Sequence, residues 1–175
     1  MAGHNKWAQI KRQKGANDAA RSQAFGKLAR RITVEAKKAH GDMNSATLRS
    51  IIEKAKAANM TKDAIERAVA KSSSDTASLE NVTYEAYGPG GAAVIIQCLT
   101  DNTNRTLQEL KGIFAKHEIT LAAQGSALWA FDKTSGGYTP KTTVPLSGSD
   151  DTALMKVMEL IDALDDVEEV YTNAE

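Results

Sequence analysis

The chain has 175 residues, with 22 Lys or Arg balanced by 22 Asp or Glu and a hydrophobic fraction of 42%. That composition is ordinary for a globular protein of one domain or two small ones, and no stretch approaches the ~20 apolar residues of a membrane span. The zero net charge conceals a division: residues 1–75 carry 16 basic and 7 acidic side chains, whereas residues 76–175 carry 6 and 15.

Residues 1–16 have no clear period and contain Gly3 and Gly15, so they read as an arm. Charges without an apolar core exclude a secretory signal, and a cytoplasmic protein with its mature N-terminus is expected. A helix should follow, with Asn17 as cap, Asp18 in its first turn and Gly41 as its stop. At 100° per residue Phe25, Leu28, Ala29, Ile32, Ala36 and Ala39 gather on one side. Lys27, Arg30, Arg31, Lys37 and Lys38 fall on the other, with Val34 among them. A second helix is predicted over residues 46–58, ended by Asn59 in the left-handed region, and a third after the cap Thr61. The short Asn59-Met60 turn suits a helix-turn-helix, but any packed helix pair has such a turn. The polar run at residues 72–78 marks the domain boundary, where the charge changes sign.

The second half alternates strand and helix signals. Strands are predicted at 82–87, 92–100, 127–131, 142–146 and 167–172, with helices at 105–117 and 150–164. Gly88-Pro-Gly-Gly91 reads as a hairpin turn: it lacks the Lys-Ser/Thr end of a phosphate loop. Thr106-Leu-Gln-Glu109 has capping-box form. Without the first strand the order is βαββαβ, which predicts a ferredoxin-like, split β-α-β sheet. The fold class is therefore α+β: a basic three-helix bundle with its arm over residues 1–75, then an acidic antiparallel sheet domain over 79–175. Cys98 lies in the apolar run 92–99 and reads as a buried, structural thiol. A lone cysteine has no intrachain disulfide partner, in keeping with a reducing compartment.

Residues 1–38 hold 10 basic and 2 acidic side chains. Such groups neutralise phosphates, and an aromatic beside them can stack on an unpaired base. Trp7, flanked by Lys6, Lys11, Arg12 and Lys14, has that setting. The expected nucleic-acid contacts are His4, Lys6, Trp7, Lys11, Arg12, Lys14, Arg21, Lys27, Arg30, Arg31, Lys37 and Lys38. Arg105, beside a helix N-terminus, is added to them. The acidic cluster Asp162, Asp165, Asp166, Glu168 and Glu169 matches no metal loop. His4, His40 and His117 are too dispersed for a zinc site. No catalytic triad pattern stands out, so neither enzyme activity nor a metal, cofactor or small-molecule substrate is expected.

Several segments resemble the YebC/PmpR family: Met1-Ala-Gly-His-Asn-Lys-Trp7 with Ile10-Lys-Arg12; Phe25, Lys27 and Arg30; Glu85-Ala-Tyr-Gly-Pro-Gly-Gly91; Leu99-Thr-Asp-Asn102 with Asn104-Arg-Thr106; and Val170-Tyr-Thr-Asn-Ala174. The resemblance implies an all-helical N-terminal domain joined to α+β domains. It also implies a non-enzymatic regulator of gene expression. Some members are described as DNA-binding transcriptional regulators; others act in translation, contacting ribosomes or messenger RNA and easing stalling. DNA and RNA, the ribosome included, both remain open as partners, as does a protein partner through the acidic domain. A protein-interaction or ligand-sensing module is the competing class. The chain departs from the family at 132–139, a short bridge where members carry a further α+β domain, and at Asn5, where Ser is usual.

Overall fold

A computed structural model describes residues 7, 9–11, 18–73 and 78–175. It divides into two compact units, one helical and one α+β.

The helical unit holds α1 (Asp18–Lys38), α2 (Ala46–Ala57) and α3 (Lys62–Ala70). Local chemistry ends each helix where the sequence indicates. After α1, Gly41 takes φ +80° and its N–H donates to the Ala36 carbonyl at 3.0 Å. After α2, Asn59 takes φ +64° and the Met60 N–H donates to Ala55 at 2.9 Å. Both are the six-to-one bond of a Schellman ending, whose left-handed residue is His40 (φ +49°) after α1 and Asn59 after α2. Thr61 caps α3 by accepting from the Ala64 N–H at 3.3 Å. Ile32 and Ala36 of α1, Leu48, Ile51, Ile52 and Ala55 of α2, and Ile65 and Ala68 of α3 share one buried core with Met60. The Thr33 hydroxyl, on the flank of α1, lies 2.8 Å from the Ala68 carbonyl and ties α1 to the end of α3.

The α+β unit contains β1 (Glu80–Tyr87), β2 (Ala93–Thr100), α4 (Thr103–Phe114), β3 (Thr120–Ala122), β4 (Phe131–Thr134), β5 (Gly137–Pro140), α5 (Gly148–Asp162) and β6 (Val167–Thr172). Its main sheet has the order β3-β1-β2-β6 and every neighbouring pair is antiparallel. The expected ferredoxin-like order is therefore corrected. β2, α4 and β3 do form a split β-α-β unit, but its middle strand is β1, which had been set aside. The strands expected at 127–131 and 142–146 do not join this sheet. Residues 128–130 form a 3-10 turn, and the chain then enters the β4–β5 hairpin, a separate two-stranded sheet. Segment 142–146 makes only one parallel bridge, Val144 to Ala174. Phe131 and Val144 thus do not lie on paired strands.

The central position of β2 explains its unbroken apolar run. Val94, Ile96 and Cys98 face α4 and α5, packing with Leu110, Phe114, Leu154, Val157, Met158 and Ile161. Ala93 and Ile95 face the other way, into a second core with Ala127, Ala130 and Phe131, against which Leu128, Tyr138 and Tyr171 pack. A strand covered on both faces has no polar side to show. Leu128 packs on this reverse face, whereas Leu146 packs against the core that holds Val157 and Ile161.

At the β1–β2 turn Gly90 takes φ +67°, and a Cβ there would collide with Leu146 Cδ2. The glycine serves a tight turn packed under the α5 approach. α4 starts two residues earlier than its sequence signal: Asn102 is the cap, accepting from the Arg105 N–H at 3.0 Å. The capping-box pattern at 106–109 lies inside the helix.

Candidate nucleic-acid interface

The expected contacts separate into three groups. His4, Lys6, Arg12 and Lys14 lie outside the described residues. Trp7, Lys11 and Arg105 are engaged in the α+β unit. Arg21, Lys27, Arg30, Arg31, Lys37 and Lys38 all belong to α1.

Trp7 is 4% exposed and sits in the core beneath the sheet, with Ile10 packed against it. The arm, expected to belong with the helices, thus sends these side chains into the second unit. A buried indole offers no face to a base, so the stacking role expected of Trp7 is corrected. Burial of a large aromatic surface is the physical reason: it gains more from an apolar core than from water.

Lys11 is also claimed from within. Its Nζ lies 3.0 Å from Asp162 Oδ1 and 3.7 Å from Glu169 Oε2. Burial alone would lower the pKa of this ammonium; Glu169 and Asp162 outweigh burial and hold it above the ordinary lysine value. Two members of the C-terminal acidic cluster thus neutralise a cation of this same unit.

Arg105 closes a third internal contact. Its Nη2 donates to Asp166 Oδ2 at 2.7 Å and to Asp101 Oδ1 at 2.8 Å. Asp166 is buried, and the same carboxylate oxygen lies 2.8 Å from Thr106 Oγ1 and 3.0 Å from Thr100 Oγ1. Burial would raise the Asp166 pKa, but the bonds from Arg105, Thr106 and Thr100 prevail and lower it below the ordinary 3.8. Because the folded value is depressed, the contribution to stability is complete above about pH 4 and is lost as pH falls through the folded value. Urea midpoints should therefore drop more steeply below pH 4 in the wild type than in Asp166→Asn. Identical acid profiles would contradict this pairing.

The α1 residues have a different setting. Arg21, Lys37 and Lys38 are exposed, and Lys27, Arg30 and Arg31 are half-buried. Lys38 pairs with Glu35 at 2.9 Å. Arg21 and Lys37 make no ion pair among the described residues. Over residues 18–73 the helical unit carries 12 basic and 6 acidic side chains. Five of the α1 cations project opposite the apolar stripe that holds Ile32 and Ala36; Arg21, in the first turn, lies on the stripe's side of the helix and is exposed there.

One group escaped the sequence reading. Glu85 is 2% exposed, and its carboxylate accepts from the backbone N–H groups of Gly125, Ala127 (2.7 Å) and Leu128 (3.0 Å). It fastens the loop that leads to Trp129, which is 59% exposed. The only signal was a carboxylate placed mid-strand beside apolar neighbours. Among the described residues no group of three or more His, Cys, Asp or Glu is placed to share a metal ion. None of the described helices is long and apolar enough to cross a membrane.

Two family models match: the TACO1/YebC protein N-terminal domain over residues 5–75, and the TACO1/YebC second and third domain over residues 79–137. A relative from Kosmotoga olearia is 34% identical, the alignment covering 100% of this chain and 94% of the relative. The chain belongs to the TACO1/YebC family. This family member is also 48% identical to a protein of Petrotoga mobilis over 82% of this chain, yet it matches only 59% of that relative's length. Both relatives are named "Probable transcriptional regulatory protein". A conserved hypothetical protein from Aquifex aeolicus has a similar solved structure, with TM-score 0.77 and 27% identity, covering 90% of this chain and 91% of that one. The Kosmotoga olearia alignment runs over 238 positions against 175 residues here, so that relative carries internal residues this TACO1/YebC chain lacks. The second match stops at residue 137, within the β4–β5 hairpin.

Proposed function

We propose that this chain is a non-enzymatic regulator of gene expression that binds nucleic acid through the basic face of α1, acting in the cytoplasm. The carrying observation is the concentration of five cations, Lys27, Arg30, Arg31, Lys37 and Lys38, on the side of one helix whose opposite side is spent on packing, with Arg21 exposed in its first turn. The regulatory names of the family's members support the reading. The proposed contacts are Arg21, Lys27, Arg30, Arg31, Lys37 and Lys38. Trp7, Lys11 and Arg105 leave the set, because each is occupied within the α+β unit.

Phosphate contacts of this kind carry no base code and serve DNA or RNA alike. They do impose a salt law. If about six cations touch phosphates, log affinity falls against log salt with a slope of roughly −5 on duplex and −4 on single strands. Arg21→Ala combined with Lys37→Ala should flatten that slope by roughly 2, since each lost contact removes about one unit. A slope near zero in the wild type, or an unaltered slope in the double variant, would overturn the assignment.

A further inference from the structure

We infer that Trp129 is a stacking platform for an unpaired base of single-stranded nucleic acid, a contact on the α+β unit separate from the α1 cations. The inference rests on the nucleic-acid reading above and extends it to a second place on the chain.

Four large hydrophobic side chains are exposed among the described residues, and Trp129 is the most exposed of them, at 59%. Its exposure is built in. Glu85 holds the preceding loop by three backbone N–H groups. The indole Nε1–H donates to the Tyr87 hydroxyl at 3.1 Å, and that hydroxyl in turn donates to the Ser126 carbonyl. The polar edge of the ring is thus satisfied within the fold. What remains for a partner is apolar ring surface, the part of an indole that stacks on bases irrespective of sequence.

The stretch of sequence that carries Trp129 is basic, which fits a polyanion. Residues 119–147 contain Lys133 and Lys141 against the single acid Asp132, although the domain as a whole is acidic. Both lysines are exposed. The Lys141 N–H donates to the Ala130 carbonyl at 2.8 Å, which sets this lysine opposite the residue following Trp129. Lys133 lies on β4, and its register partner Tyr138 is on β5. One fixed aromatic with two cations is a minimal single-strand contact. It is too little for a protein interface, which takes about 800 Å² from each partner.

The test uses the full chain with a short single-stranded oligouridylate and a mixed-sequence duplex. Trp129→Ala should weaken single-strand binding about five- to hundredfold, the range for one stacked base, and leave duplex affinity and thermal midpoint unchanged. Trp129→Phe should restore most of the loss. Trp7 is the only other tryptophan and is buried, so oligouridylate should quench the intrinsic tryptophan emission of the wild type but not of Trp129→Phe. Wild-type single-strand affinity in Trp129→Ala, with the wild type itself binding, overturns this inference and leaves the α1 assignment standing. Absence of any binding by the wild type overturns both.

Discussion

Trp7→Ala should destabilise the protein by about 3–5 kcal/mol, the usual cost of removing a large aromatic from a packed core. In a chain of this size that lowers the thermal midpoint by roughly 10 °C or more. The cause is concrete. The indole belongs to the core formed by side chains of the sheet, α4 and α5, against which Ile10 also packs. Its removal leaves a cavity that neighbours from several elements cannot all close. Urea denaturation of the full chain measures the loss. The outcome also separates the two roles a tryptophan beside basic residues can have. A stable Trp7→Ala protein with weakened nucleic-acid affinity would mean that the indole stacks on a base and is not core.

The second large effect is expected at Glu85. Glu85→Ala leaves the Gly125, Ala127 and Leu128 N–H groups without their acceptor. The buried Ala127 donor left unpaired costs about 1–3 kcal/mol, whereas water can reach the partly exposed Gly125 and Leu128 donors, so a total of about 3 kcal/mol is expected. Glu85→Gln keeps one acceptor oxygen and should lose roughly half as much. The loop is also what presents Trp129, so Glu85→Ala should alter the indole emission as well as the urea midpoint. A Glu85→Ala protein as stable as the wild type would show that the carboxylate does not fasten this loop.

Both residues illustrate what a sequence does and does not reveal. Helix ends were legible because their chemistry is local: Gly41, Asn59 and Thr61 act within a few residues of themselves. The buried run of β2 and the span of β6 were legible for the same reason, as strand-forming residues bounded by turns. Contacts across long sequence separations were not. Arg105 meets Asp166 across 61 residues, and Glu85 reaches Ala127 across 42. Nothing in the spacing of charges distinguishes such a pair from two solvated side chains. Trp7 misled because an aromatic amid lysines suits both a base platform and a core anchor. Only the tertiary fold shows which surface it covers. The sheet order failed at one step: β1 was set apart as an extra strand, whereas its pairing with both β2 and β3 makes it interior. The weak strand signals at 127–131 and 142–146 then took its place by default. In α1 the packing side was legible from periodicity, since Ile32 and Ala36 of the apolar stripe are buried.

The most direct test of the central claim is photocrosslinking in cells, followed by sequencing of the attached nucleic acid and mapping of the crosslinked peptides. Residues 18–38 should carry crosslinks to DNA or RNA, and the identity of that nucleic acid will separate promoter DNA from ribosomal or messenger RNA. Recovery of the protein without attached nucleic acid, or crosslinks confined to segments other than α1, would contradict the account.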